Sequence, residues 1–143
     1  MTNISDDQHV ARYCPGKTIT PSGRITGAAF QIRPQDNNGL STNWIECLDL
    51  GAREKEINHL SSHFNQIMRG VIADAKIAIL NVGNTKNHVF DASSEKKTLG
   101  FEHHPNTHNP SHSRIVRLEL NETEIFGYIA ESVIEDYPLL PEE

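Results

Sequence analysis

The sequence predicts a single compact α+β domain: a mostly antiparallel or mixed sheet of five to six strands with two main helices. Three observations carry that reading. A chain of 143 residues, 36% apolar and 22% charged, has the size and composition of one folded unit with one core. Its apolar residues recur with period two in some segments and at helical spacing in others. The two kinds of segment do not alternate regularly, which favours α+β over a doubly wound parallel fold.

Residues 1–8 are polar and are expected to form a flexible N-terminus, leaving 9–143 as the domain. "HVARYC" (9–14) reads as a strand with Val10, Arg12 and Cys14 on one face and His9, Ala11 and Tyr13 on the other. A turn-rich connection follows, broken by Pro15-Gly16 and Ser22-Gly23. "AAFQIR" (28–33) is a second strand candidate, and 34–39 is a loop by composition. "LSTNWIECLDLG" (40–51) reads either as a short helix or as an extended segment leading into one.

The clearest element is the helix over 53–71, where Ile57, Leu60, Phe64, Ile67, Met68 and Val71 form one apolar stripe and Gly70 marks a frayed end. "AKIAILNVG" (75–83) is β-branched and nearly continuously apolar, the pattern of a buried central strand. Residues 84–98 read as a hairpin-like excursion with a possible strand at 88–90. Strand candidates at 99–104 and 113–120 flank a loop. A final helix over 121–137 is expected to be N-capped by Asn121, with Glu124 three residues on, and to bury Ile125, Phe126, Ile129 and Val133.

The formal charge of −6 argues against duplex nucleic acid as a partner. The stretch from Arg12 to Arg33 nevertheless holds four basic residues and no acidic one, so a local basic face is possible. No apolar run approaches the roughly 18 residues of a membrane span, and the N-terminus lacks a signal-peptide pattern. Two distant cysteines, Cys14 and Cys47, do not make a disulfide framework, so a cytoplasmic location is expected. Both read as small apolar residues rather than nucleophiles.

The flanked loop, "FEHHPNTHNPSHSRI", concentrates four of the chain's eight histidines between His103 and His112. His104, His108 and His112 are spaced for one face of a helix, but Pro105 and Pro110 forbid that helix. Three readings compete. The loop is a polar surface turn, a zinc site completed by Cys14, Cys47 or His9, or an acid–base site in which imidazoles titrating near neutrality move protons. In the last, His104 and His112 are the catalytic candidates, because each adjoins a strand, and His108 is solvent-exposed.

Around them, Arg12 suits a phosphate or carboxylate clamp, although an ion pair with Glu46 or with the last helix would explain it equally. Glu46 could act as general base or orient a histidine. His9, Ser41 and Trp44 complete a substrate-binding set, with Trp44 by default a core anchor. Ser41 lacks the GxSxG setting of a nucleophile elbow. His59 and His63, an i, i+4 pair on the long helix, read as a solvated face.

The expectation is a hydrolase or transferase acting on a small or single-stranded phosphoester or nucleotide, with no cofactor required. One alternative is a non-catalytic interaction or accessory subunit that docks a protein partner through the apolar tail Tyr137, Leu139 and Leu140. The other is a zinc-binding protein using the same loop.

Overall fold

The computed structural model describes residues 2–68 and 74–140. Among them the chain forms a seven-stranded sheet and three α-helices, an α+β arrangement with more strands and one more helix than expected. The strands are β1 (Thr2–Asn3), β2 (His9–Cys14), β3 (Gly39–Trp44), β4 (Lys76–Asn81), β5 (Gly100–His103), β6 (His112–Val116) and β7 (Val133–Pro138). The helices are α1 (Arg53–Ile67), α2 (Val82–Ala92) and α3 (Thr123–Glu131). In space the strands run β1-β5-β6-β3-β2-β4-β7, every neighbouring pair antiparallel. No described helix is long and apolar enough to cross a membrane.

The register assigns the faces. Leu40, Ile115 and Phe101 lie opposite one another across β3, β6 and β5, and Val10 lies opposite Leu80. This face is apolar over most of its width. It is closed by Val82 and Val89 of α2, by Ile125, Phe126 and Ile129 of α3, and by Ala29 and Phe30. On the other face, Ala11, Ile77 and Ile79 pack under Ile57, Leu60 and Phe64 of α1. That apolar cover stops at β2. Beyond it, β3, β6 and β5 present Ser41, Arg114 and Glu102 in one row, with Asn43 beside His112 in the next.

Several segments depart from the sequence reading. Residues 28–33 are not a strand. Gly27–Phe30 forms a 3-10 turn that lies against α3, so close that a Cβ on Gly27 would sit 2.8 Å from Gly127 N. The expected hairpin at 84–98 is instead α2. Asn81, at the end of the expected strand, is the N-cap of α2: its Oδ1 accepts from Asn84 N at 2.8 Å. Val82, Thr85 and Val89 then bury one helical face.

The last helix ends at Glu131, and Val133–Pro138 forms an edge strand whose residues alternate between half-buried and exposed. Val133 matched the helical spacing of Ile125 and Ile129 by coincidence. Asn121 does not cap α3; the cap position is Glu122, whose Oε1 accepts from Glu119 N. Residues 2–8, set apart in the sequence as a polar tail, contribute β1 and the buried Ile4. Gly70, Val71 and the final three residues lie outside the described residues.

Candidate functional site

The uncovered half of the second sheet face forms the floor of a cleft of about 630 Å³. Its walls are the C-terminal half of α1 (His63, Phe64, Ile67), the segment around Gln31–Asp36, and the histidine loop (Asn106, His108, Asn109). An adjoining hollow of about 420 Å³ shares His63, His108 and Asn109 and reaches Cys47 and Pro110. Together they make one groove between α1 and the loop.

The loop is held by nested turns. Asn106 and Asn109 exchange backbone bonds, N to O at 3.3 Å and 3.2 Å, and His108 N donates to Asn106 Oδ1. His112 N turns inward to Asn109 O, so His112 cannot close the ladder with its own N–H. His104 N donates to His112 O at 2.8 Å, and the free His104 carbonyl is taken by the His112 ring, Nδ1 to O at 2.9 Å.

A carbonyl only accepts, so Nδ1 carries the proton, and in the neutral ring Nε2 is left as the acceptor. That nitrogen lies 3.2 Å from Ser41 Oγ. Ser41 therefore donates to it. The arrangement is a hydroxyl, a base and an orienting acceptor in line, the relation that activates a hydroxyl nucleophile. Ser41 is exposed at the centre of β3, and among the described residues it is open to a ligand.

The seven sequence candidates divide into separate groups. Arg12, Ser41 and His112 border the cleft. His104 sits beside His112 across the β5–β6 hairpin, but its Nε2 donates to Glu102 at 3.1 Å and it does not line the cleft. The two histidines are neighbours, not opposed walls. His9 and Glu46 pair with each other: Glu46 accepts from His9 N and from His9 Nδ1, both at 2.7 Å. Glu46 thus orients a histidine, but His9 rather than one in the loop.

Trp44 lies on the opposite, core face, packed edge-on against His103 at 5.0 Å between ring centroids, with Nε1 donating to Gln8 Oε1. Arg12 meets neither Glu46 nor the last helix. Strands β2 and β3 pair only at Val10–Trp44 and Ala11–Asn43, then diverge. The Arg12 guanidinium bridges the gap, donating from Nε to Ala29 O at 3.1 Å and from Nη1 to Ser41 O at 2.9 Å. Burial pulls its pKa below the ordinary value, while Cys14 and Asp36 push it back up.

Two residues passed over in the sequence belong here. His63 is half-buried on the α1 wall, not solvated, and its pKa is lowered first by burial and then by the positive charge of His59 and His112. His63 and His112 border the same cleft, one from α1 and the other from β6. The place of His63 at the edge of the apolar stripe was the available signal. Asn43, next but one to Ser41 on the same face, accepts from Ser111 Oγ at 3.0 Å.

Basic side chains outnumber acidic ones around the cleft, although the protein as a whole is acidic. Arg12, Arg33, His63, His108 and His112 border it against one carboxylate, Asp36, which is tied to Arg33. Tyr13 and Phe64, 5.4 Å apart between centroids, supply an aromatic wall.

Elsewhere, His103 Nε2 donates to Pro110 O at 2.8 Å, with Cys47 Sγ 3.9 Å from the same nitrogen. Cys14 is buried, and burial pushes its thiol up to about 12. Among the described residues no three His, Cys, Asp or Glu side chains converge as a metal site would require. The tail that suggested a docking element lies on its own chain: Leu139 N donates to Ala75 O, Leu140 N to Ser61 Oγ, and Asn65 Nδ2 to Leu140 O. Compared with protein-family models, curated proteins and solved structures, the chain matches none of them.

Proposed function

We propose that this protein is a metal-independent hydrolase or transferase acting on a small phosphoester, with a nucleotide as the substrate class that suits the cleft. The observation that carries the reading is the His112 imidazole. Its Nδ1 proton is committed to a backbone carbonyl, and its Nε2 lone pair is directed into the cleft at Ser41. A base so held needs no reorientation when it takes a proton, which is what general-base catalysis requires.

The two guanidinium groups at the cleft, Arg12 and Arg33, against the one carboxylate Asp36, favour an anionic ligand, and the exposed Arg33 side chain suits phosphoryl oxygens. The Tyr13–Phe64 wall favours a flat, apolar portion such as a base. His63 borders the same cleft from α1 as a half-buried imidazole available to contact the substrate, while the proton taken by His112 is the one returned to the leaving oxygen. Arg12 acts by holding the Ser41 backbone rather than by clamping the substrate directly.

The test is turnover of nitrophenyl phosphoesters, nucleoside monophosphates and cyclic nucleotides by the purified chain, with and without chelator. The expected outcome is activity that survives chelator and falls about 10²–10⁴-fold in His112→Ala. Activity abolished by chelator would return the loop to the zinc reading. The absence of turnover across the panel, or full activity in His112→Ala, would leave a non-catalytic binding role.

A further inference from the structure

Acid–base chemistry at His112 is compatible with two nucleophiles, an activated water or a side chain. We infer that Ser41 is the nucleophile and that the reaction passes through a covalent seryl intermediate, an inference that rests on the His112 reading above and deepens it. Three features of the site support it.

The Ser41 hydroxyl already occupies the position from which His112 Nε2 takes a proton, at 3.2 Å, so a water acting there would first have to displace it. Ser41 is exposed, yet its backbone is held: its carbonyl accepts from Arg12 Nη1 at 2.9 Å, and β3 pairs with β6 at this residue. The hydroxyl is thus open to a ligand on a rigid strand, the combination a nucleophile needs. Finally, Asn43 Oδ1 is engaged by Ser111, while Asn43 Nδ2 has no acceptor among the described residues. No buried side-chain nitrogen or oxygen there lacks a partner. Asn43, a buried residue that lines the cleft two residues along the strand from Ser41, thus keeps an uncommitted amide donor, which we assign to an oxygen that gains charge.

The step balances without an added reagent. Ser41 Oγ forms a bond to phosphorus as His112 Nε2 takes the hydroxyl proton. The bond from phosphorus to the leaving oxygen breaks, and that oxygen receives the proton from the His112 imidazolium, which returns to the neutral base. Water then attacks the seryl phosphoester and gives a proton to His112, and Ser41 Oγ leaves and is reprotonated. An acceptor alcohol in place of water makes the same sequence a transfer.

The experiment is labelling of the full chain with diisopropyl fluorophosphate, which phosphorylates activated serines with loss of fluoride, read by peptide mass mapping. The expected result is one adduct on Ser41, formed about 100-fold more slowly in His112→Gln and absent in Ser41→Ala. No adduct on Ser41, or equal rates with and without His112, overturns the inference. Because Ser41 is exposed, Ser41→Ala is expected to melt as the parent does, and His112→Gln is compared at a temperature below its own melting transition, since its ring also bonds the His104 carbonyl. Ser41→Cys repeats the test with iodoacetamide, whose reaction is expected to depend on His112 in the same way, and independence from His112 counts against the inference. Turnover separates the two layers: if Ser41→Ala keeps phosphoesterase activity that His112→Ala loses, water is the nucleophile and only the seryl intermediate falls. If both variants keep it, or the parent has none, the underlying reading falls as well.

Discussion

One face of the sheet is apolar over most of its width and roofed by α2, α3 and the Gly27–Phe30 turn, whereas the other is apolar only under α1 and turns polar where that helix ends its coverage. The same strands make both. In β3, Leu40 faces the first side and Ser41 and Asn43 face the second; in β6, Ile115 faces the first, and His112 and Arg114 the second. Burial of the first face supplies stability, since each side chain removed from water contributes about 25 cal/mol per Å² of apolar area. The second face leaves polar groups uncovered on a backbone that the first face has already made rigid. A site gains its precision from the side of the sheet it does not occupy.

The sharpest way to test that division is to substitute on each face and compare stability with function. The largest stability effect is expected from Leu80→Ala or Ile115→Ala, both fully buried under the roof. Each should cost about 2–5 kcal/mol in urea unfolding through lost burial and the cavity left behind. Arg12→Ala comes next, at about 1–3 kcal/mol, because it leaves the Ala29 and Ser41 carbonyls without their donor and opens the gap between β2 and β3. A smaller effect than the expected one would mean that water replaces the guanidinium at no loss.

The pH dependence of stability is the third comparison. His63 binds its proton less tightly in the folded chain than the usual His value of about 6.5. The unfolded chain therefore takes up more protons as pH falls through that value, and the folded state loses stability from there down to the depressed folded pKa. His63→Gln should flatten the thermal-melting profile over that window; an unchanged profile would place the titration elsewhere. The smallest stability change is expected for Ser41→Ala, within about 0.5 kcal/mol, although turnover should fall with it. Should Ser41→Ala unfold the chain, the cleft would be part of the structural framework and the division between faces would not hold.

Much of this was legible in the sequence, but unevenly. The core strand β4, the strand β2 with its alternating faces, and α1 carry strong single-period patterns, and these are the elements reproduced with least change. The misread segments are those whose local chemistry is ambiguous. Asn81 and Asn84 suit a turn and an N-cap alike, and the choice is made by Val89 finding a place in the core. Residues 133–138 carry spacing that serves helix and strand, and pairing with β4 decides it.

The site was legible as a neighbourhood and not as a geometry. The loop's prolines showed it could not be a helix, and the proximity of 41–46 to it follows from β3–β6 pairing. Which ring turns toward Ser41 depends on a hydrogen bond to a backbone carbonyl, and no side-chain pattern records that. His63 was missed for a similar reason: a histidine at the edge of an apolar stripe becomes a cleft residue only when another element comes up beside it.

The orienting partner of His112 is the carbonyl of His104. A carboxylate in that position, such as Glu46 beside His9, can be protonated by acid or deleted by one codon change. A peptide oxygen can be neither. It has no titration in the accessible range, and every amino acid at position 104 presents the same one. The direction in which the His112 proton points is therefore insulated from acidity and from most inherited variation at its neighbour, and it is lost only when the β5–β6 hairpin itself comes apart. Orientation of the base and integrity of the hairpin are, in this chain, one property.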